Sequence, residues 1–540
     1  MIKKFIFVVG GVMSSVGKGV TSSSISAILK SHGYKTTNIK CDMYVNIDAG
    51  TIRPTEHGEV FVGSDGIEAD QDLGNYERFT LNTMSAENYI TTGQVYQEVI
   101  RKERNLEYKG EDVEVVPDVP NEIIRRIKNA QKTSNAEITI IEFGGTIGEY
   151  QVLLFLEAAR IMKIANPEDI AFVMVSYLPL PTYLGEMKTK PTQYAMRSLN
   201  TAGIQADFIV ARGTKSLDDK RRQILAHTCN IKAGSVISAP DVKTIYEIPE
   251  LYKKQNFDEK ILETLGLESR EKNKAPFEDL VKKIKSTKKI IKVGIVGKYF
   301  KTGDFTLIDS YISVIEAIKH GGWANNTNID FMWIDAEKFE KDKNDFSEID
   351  QCSAIVCPGG FGERGTAGVM RAIQHIRENN IPFLGICFGM QLACVEFAKN
   401  ALKIKNATSA EFNPKSKDQI IHVNPTQTKN IKDNKYGGTM RLGSYKVEFA
   451  QESITQKAYN SPEASERHRH RYEFNNKYKY AIENAGMKIV GVNPETNLVE
   501  VVELANHPFF VGVQYHPEFK SHPENAHPLF KKLIEVGLKT

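Results

Sequence analysis

Residues Phe5-Ile6-Phe7-Val8-Val9-Gly10-Gly11-Val12-Met13-Ser14-Ser15-Val16-Gly17-Lys18-Gly19-Val20 decide the fold of the first half of this chain. The apolar run Phe5 to Val9 reads as a buried strand, the glycines form a turn, and a helix is expected over Val20 to Lys30. A strand, a glycine turn and a helix in that order present backbone N–H groups and the positive helix end to a phosphate, with Lys18 able to reach terminal phosphoryl oxygens. The spacing departs from the common G-x-x-x-x-G-K-[ST] loop, because five residues separate Gly11 from Gly17 and Gly19 stands where a metal-binding hydroxyl is expected. Carboxylates must then hold any Mg²⁺ that accompanies a triphosphate.

Working outward, the carboxylate candidates are Asp70 and Asp72 in Glu68 to Gly74, and Glu142 at the end of a strand expected over Ile138 to Glu142. Open α/β sheets place their ligands at such strand ends. A further cluster, Lys188-Thr189-Lys190-Pro191-Thr192-Gln193, sets two cations and two hydroxyls in six residues, suited to a second polyphosphate. Additional strands are expected over Thr36 to Lys40, Ile170 to Tyr177 and Phe208 to Ala211, with a helix over Asn121 to Lys132. The alternation indicates one doubly wound domain.

The 540 residues carry 70 basic and 67 acidic side chains, a net +3, with 41% hydrophobic residues. That length and composition fit at least two globular domains and exclude a disordered or fibrous chain. Nearly balanced charge gives no whole-chain attraction to nucleic acid or anionic membrane, so small molecules are the expected partners. Six cysteines without a C-x-x-C pair fit a reducing cytoplasm. Lys3 and Lys4 ahead of an apolar run resemble a signal peptide, but Gly10 and Gly11 interrupt the run, and no apolar stretch approaches the ~20 residues needed to span a bilayer.

Between Ser269 and Lys289, eight basic residues stand against three acidic ones, and this stretch reads as a linker with a short helix. The expected organisation is a first domain over 1–268, the linker over 269–289 and a second domain over 290–540. In the latter, strands are expected over Ile290 to Val296, Ala354 to Val356, Pro382 to Ile386 and Phe510 to Tyr515. The fold class is therefore α/β, two doubly wound domains with mostly parallel sheets.

The second domain carries Gly385-Ile386-Cys387-Phe388-Gly389-Met390-Gln391, in which glycines flank a cysteine at a strand-to-helix turn. Such an elbow exposes a nucleophile, and the helix N-terminus favours its thiolate. Gln514-Tyr515-His516-Pro517-Glu518-Phe519 offers a base, strand alternation setting His516 and Glu518 on one face. Pro358-Gly359-Gly360-Phe361-Gly362 can supply oxyanion N–H groups. Together they point to acyl transfer through a thioester. The H-x-H of Arg467 to Tyr472 is set against a metal role by its arginines, which suit a substrate carboxylate instead.

These segments, with His57 to Val62, Asp72 to Phe79, Glu142 to Thr146, Gly437 to Gly443 and Arg467 to Glu473, resemble the CTP synthase family, an amidoligase domain fused to a class I glutamine amidotransferase domain. The resemblance covers nearly the whole chain. It implies conversion of UTP to CTP with ATP and L-glutamine through a 4-phosphorylated intermediate, with Mg²⁺ as cofactor and ammonia passed between two sites. It also implies GTP as activator, CTP as feedback inhibitor and a homotetramer. By the resemblance, Ser15, Val16, Gly17, Lys18, Gly19, Val20, Asp72, Asp241 and Val242 serve ATP, and Asp72 and Glu142 the metal. Ser14, Glu149, Tyr150, Gln151 and Lys188 to Gln193 (Lys188, Thr189, Lys190, Pro191, Thr192, Gln193) serve UTP or CTP, and Lys40 faces phosphate. Cys387, His516 and Glu518 are catalytic; Gly360, Phe388, Gly389, Met390, Gln391, Glu411 and Arg471 hold glutamine; and Gly437 to Gly443 is the expected lid.

The sequence departs from the family pattern at Gly148-Glu149-Tyr150-Gln151, where relatives carry Gly-Asp-Ile-Glu, and at Met43 and Ala49, where they carry proline. The family's later UTP-binding lysine is given no position around Arg221 to Gln223. Two other readings compete: an amidoligase that aminates a carboxylate, and a nucleotide-switched assembly protein. The intact Cys387, His516 and Glu518 set speaks against the second.

Overall fold

Runs of apolar, largely β-branched residues form the strands at the centre of each half, where both faces of a parallel sheet are covered. The computed structural model describes every residue except 1, 182, 184, 272–273, 299–300, 303–304, 307, 342–344 and 425–439, and describes the backbone alone at 55, 301, 302, 305, 306 and 308. It divides into two units, one of Met1–Ala49 with Asp72–Val281, the other of Gly50–Gln71 with Lys282–Thr540.

In the first unit seven strands form one sheet, in the order Tyr89–Thr91, Thr36–Asp42, Ile138–Phe143, Lys4–Gly11, Ile170–Tyr177, Phe208–Gly213, Val236–Pro240. All neighbours run parallel. The first strand is central, and the chain leaves it to one side and later crosses to the other, so its carboxyl end is a switch point where α/β sheets bind ligands. The helix expected from Asn121 begins earlier, within the helical stretch Val115–Thr133, whose backbone is non-helical at Val116. Two short strands, Tyr89–Thr91 and Val236–Pro240, lack a length of apolar sequence that would announce them.

The second unit holds a nine-stranded sheet in the order Asn328–Asp335, Ile290–Gly297, Ala354–Cys357, Phe383–Ile386, Phe510–Val513, Val499–Leu504, Met487–Val492, Arg441–Phe449, Glu463–His470. The first five are mutually parallel, and the remaining neighbours pair antiparallel. Four of its eight neighbouring pairs are parallel and four antiparallel; Met487–Val492, Val499–Leu504 and Phe510–Val513 follow one another through short connections that only antiparallel pairs allow.

Residues 50–71, placed by sequence position in the first half, belong to the second unit. The physical reason is a set of specific contacts. The Phe61 ring packs edge-on against Phe519 at 5.0 Å, the Arg467 guanidinium lies 5.3 Å from the same Phe61 ring, and Arg467 donates to the Val62 carbonyl at 3.0 Å. Arg469 pairs with the buried Glu68 at 2.7 Å. The short helix of the linker spans Glu278–Ser286.

Candidate active site

The phosphate loop opens the helix Lys18–Ser31, whose N-cap is Gly17. Val12, Ser15 and Gly17 have φ of 80°, 54° and 89°. Positive φ at these places is a turn conformation of the kind anion-binding loops use; Gly17 carries it without strain, whereas Val12 and Ser15 do not. Lys18 is buried, its Nζ donates to the Gly145 carbonyl at 2.8 Å, and burial lowers its pKa against the opposing pull of Glu142.

Asp72 stands beside this loop. A methyl group at residue 19 would overlap its carboxylate, so Asp72 fills the space where a common phosphate loop sets its hydroxyl. Lys40 bonds to Asp72, lies 3.4 Å from Glu142 and 3.7 Å from Asp42, and Tyr76 donates to Glu142 at 2.5 Å. Burial, and next to it Asp72, pushes the Glu142 carboxyl up from its ordinary pKa. This concentration of hard oxygen donors fits Mg²⁺, which takes one or two carboxylates and completes its shell with phosphate and water. Among the described residues no group of three or more His, Cys, Asp or Glu could hold a metal ion by itself.

The other nucleotide candidates gather at the same sheet end. Thr192 bonds to Ser176, which is paired in register with Gly11, and Gln193 donates to the Thr189 hydroxyl at 3.1 Å. Pro191 sits in the first turn of the helix Lys190–Thr201, and Lys188 pairs with Glu186. The Glu149 carboxylate accepts from the Thr146 N–H at 2.8 Å and from the Gln151 amide at 2.5 Å, while the Tyr150 side chain is 91% exposed. Asp241 pairs at 3.1 Å with Arg212, whose guanidinium lies against Gly17 within van der Waals reach of any side chain placed there. Val242 is half-buried, Val16 is buried, and Ser14 is exposed. Arg221 donates to the Met187 carbonyl at 2.9 Å, a contact with the 186–188 segment that no local pattern announces.

In the second unit Cys387 is the N-cap of the helix Phe388–Asn400, with φ 48° and ψ −96°. A non-glycine residue in that region is strained, and the strain turns its side chain out of the strand-to-helix path. Its N–H donates to the Val513 carbonyl at 2.7 Å, tying the elbow to the neighbouring strand. Gly389 permits the turn, because a methyl group there would overlap the Cys357 carbonyl. Met390 is buried in the core and can offer a substrate only its backbone.

His516 Nδ1 lies 2.7 Å from Glu518 Oε1. Strand alternation does not produce this pair: the strand ends at Val513, and a 3₁₀ turn over Pro517–Lys520 brings the carboxylate back to the ring. Proline starts that turn because its missing N–H is not needed there. His516 Nε2 is buried; among the described residues no hydrogen bond of good geometry reaches it, and Cys387 is the group it faces. Burial disfavours the imidazolium, yet Glu518 and then Cys387 override it and raise His516 to about 10. The Phe519 ring stacks on His516 at 5.2 Å, so Phe61 supports the base through Phe519.

One pocket exposes Cys387, His516 and Glu518 together with Gly359 and Gly360, and Pro54, Glu59 and Val60 of the 50–71 segment form its wall. The glycine loop is clamped from both sides. Gly362 N–H donates to Glu411 at 2.6 Å, and Lys298 donates to the Gly362 carbonyl at 2.5 Å with its ammonium 4.5 Å from the Phe388 ring. Burial raises Glu411 and lowers Lys298 to about 8. Gln391 is bonded to the Tyr472 carbonyl and to Gln514. Arg471 is half-buried and close enough to Glu411 to favour its charged form. The H-x-H pair of the sequence is structural: His468 is fully buried and bonds Glu500 at 2.8 Å. Of the expected lid, Gly437 to Thr439 lie outside the described residues, and Arg441 within the adjoining strand pairs with Glu500 at 2.7 Å. Lys298 and Gln514 are not legible as site residues, because what brings each to the pocket is a contact with distant residues, Gly362 and Phe388 for Lys298, Gln391 for Gln514.

Comparison with known proteins covers both halves. A family model described as CTP synthase N-terminus matches residues 4–267, and one described as glutamine amidotransferase class-I matches residues 306–536. A CTP synthase of Prochlorococcus marinus (strain MIT 9312) is 45% identical over 535 residues, covering 99% of this chain and 98% of that one. A CTP synthase of Halalkalibacterium halodurans is 43% identical over 540 residues, covering 100% of both. Among solved structures, the glutaminase domain of Trypanosoma brucei CTPS with bound acivicin aligns with 46% of this chain and 94% of that one, at 34% identity and a TM-score of 0.42. Identity at this level, carried from end to end through both units, means that the chain belongs to the CTP synthase family.

Proposed function

We propose that this chain makes CTP from UTP, with ATP as phosphoryl donor and glutamine as nitrogen source. The observation that carries the reading is the bonded His516 and Glu518 pair beside the strained Cys387 elbow, in a chain whose other unit holds a phosphate loop. Full-length similarity to CTP synthases supports the same conclusion.

In the glutaminase half-reaction, the Cys387 thiolate attacks the amide carbon of glutamine, and N–H groups of the Gly359 to Phe361 part of the loop stabilise the oxyanion, the Gly362 N–H being engaged by Glu411. His516 gives its Nε2 proton to the departing nitrogen, ammonia leaves, and water hydrolyses the thioester to glutamate. Glu518 holds the imidazole with Nδ1–H toward itself, so that Nε2 is the working atom. Gly360, Phe388, Gly389, Met390, Gln391, Glu411 and Arg471 surround the glutamine.

In the synthetase half-reaction, the uracil O4 attacks the γ-phosphorus of ATP and ADP leaves. Ammonia then adds at C4 and phosphate departs with the oxygen. Catalysis of phosphoryl transfer is mainly positioning and charge neutralisation. Lys18 and the loop N–H groups hold the phosphates, Asp241 and Val242 the adenine side, and Ser14 with Lys188 to Gln193 the UTP. Mg²⁺ held by Asp72 and Glu142 would neutralise charge on the transferring phosphoryl group. Free ammonium is no nucleophile, so the nitrogen passes between sites as ammonia.

We extend the reading to GTP as activator, CTP as feedback inhibitor, a homotetrameric assembly and a cytoplasmic location. Among the described residues no helix is long and apolar enough to cross a membrane. The experiment is direct: purified protein with ATP, glutamine and Mg²⁺ is followed for CTP on addition of UTP. Glutamine hydrolysis and ATP turnover without CTP would overturn the proposal.

A further inference from the structure

We infer that Gln514 is a further catalytic residue of the glutaminase half-reaction, its side-chain N–H holding the Cys387 sulphur as a thiolate. The inference rests on the glutaminase reading of the pocket. Gln514 follows the strand Phe510–Val513, is fully buried, and is fixed by its own N–H, which donates to the Glu500 carbonyl at 2.8 Å. Its Nε2 lies 3.6 Å from Cys387 Sγ, a normal reach for N–H to sulphur.

The neighbours settle which end of the amide faces the sulphur. Gln391 Nε2 donates to the Tyr472 carbonyl at 3.0 Å, and a carbonyl can only accept, so the nitrogen end of Gln391 points inward. That same nitrogen lies 3.1 Å from Gln514 Oε1. A flipped Gln514 would set nitrogen against nitrogen and its oxygen against the sulphur. The relay from Tyr472 through Gln391 to Gln514 therefore ends with an N–H on the nucleophile.

The sulphur has two hydrogen-bonded states. As a thiol it donates to the Arg469 carbonyl, 3.8 Å away; as a thiolate it can only accept, and Gln514 is the donor. A hydrogen bond to the charged form lowers the energy of that form. During acylation the sulphur lone pair forms the C–S bond, the C–N bond breaks, and the proton on His516 leaves with ammonia. The thioester sulphur is no longer anionic, so the bond from Gln514 acts on the free enzyme and returns when hydrolysis regenerates the thiolate. Among the described residues, the other charged and titratable groups lining the pocket around the sulphur are His516, Glu518, Glu59, Arg469 and Tyr311, with His470 near His516.

The test is iodoacetamide alkylation of the free full-length protein over a range of pH, for wild type, Gln514→Met and Gln514→Glu, together with glutamine hydrolysis. Methionine keeps the length without a donor, and glutamate keeps the oxygen that accepts from Gln391. Expected in both variants is an upward move of the alkylation midpoint by about one pH unit or more. A fall in kcat for glutamine of roughly tenfold to a hundredfold, with KM changed far less, should accompany it. Unmoved midpoints in both variants would overturn the inference. Should Gln514→Met fail to fold, the near-isosteric glutamate decides alone, and an unmoved midpoint there overturns it. A wild type that releases no ammonia from glutamine would sink the glutaminase reading instead, while the alkylation midpoints still decide the hydrogen bond.

Discussion

Glu59 and Ser313 are 254 positions apart, yet the Glu59 carboxylate accepts from the Ser313 backbone N–H at 3.2 Å and from its hydroxyl. Ser313 lies in the first turn of the helix Ile312–Ala324, so the carboxylate both satisfies an orphan N–H and meets the positive helix end. The bond anchors the segment that walls the Cys387 pocket. Glu59→Ala should lower stability by about 2 to 3 kcal/mol, the cost of losing hydrogen bonds to a buried charge. It should also reduce kcat/KM for glutamine by roughly tenfold as Pro54 and Val60 loosen. Glu59→Gln, which keeps an acceptor, should lose about half as much stability. Thermal unfolding and a glutaminase assay read both.

The two half-reactions use different residues, so they should separate by mutation. Cys387→Ala removes the thiol proposed to form the thioester; glutamine-dependent CTP formation should fall by at least about 10³-fold while synthesis from added ammonia persists. Lys18→Ala removes the phosphate cation and should abolish synthesis from either nitrogen source. CTP measured with glutamine and with ammonium chloride distinguishes them, and glutamine-driven synthesis surviving in the cysteine variant would refute the assignment.

The phosphate loop and the elbow are legible in the sequence because each depends on glycines at fixed offsets from one reactive side chain, a local requirement. Cys387, His516 and Glu518 could be grouped for the same reason, although the 3₁₀ turn that joins the last two is not the alternation their spacing indicates. What escapes is set by distant partners. Nothing near Glu59 announces Ser313, and nothing in Gln514 announces a sulphur 127 positions away. The antiparallel half of the second sheet escapes for another reason: Arg441–Phe449 and Glu463–His470 are rich in charged residues that the fold pairs or exposes, so they lack the apolar runs of the parallel strands.

The protonated state of the base should be visible as a stability difference between wild type and Glu518→Gln. His516 is raised from an ordinary 6.5 to about 10 in the folded protein. Its contribution is therefore complete below about pH 6.5 and drains away as pH rises toward 10. In Glu518→Gln the buried imidazolium loses its counter-charge, while a neutral imidazole can still donate Nδ1–H to the amide. The variant should be less stable by on the order of 3 kcal/mol at pH 6, and the gap should shrink steadily toward pH 10. Thermal midpoints across that range measure it; a gap that widens with pH would contradict the cause assigned here.

Gly19 offers the sharpest test of Asp72 as the carboxylate proposed to face the metal, because helix propensity and site geometry pull in opposite directions there. Residue 19 lies in the first turn of the helix Lys18–Ser31, where alanine would ordinarily be preferred by up to about 1 kcal/mol. The methyl group, however, would overlap the Asp72 carboxylate, which is short and must swing away. That movement separates Asp72 from the loop and deprives Lys40 of one of its partners. Gly19→Ala should therefore fold with nearly unchanged thermal stability, yet lose about a hundredfold or more in CTP formation from glutamine and from ammonia alike. Its Mg²⁺ requirement should rise, because one of the two carboxylates is displaced. Asp72→Asn, which leaves the loop untouched, should reproduce the loss. If Gly19→Ala keeps full activity at low Mg²⁺, Asp72 does not take the place of the missing hydroxyl, and the metal must be held elsewhere.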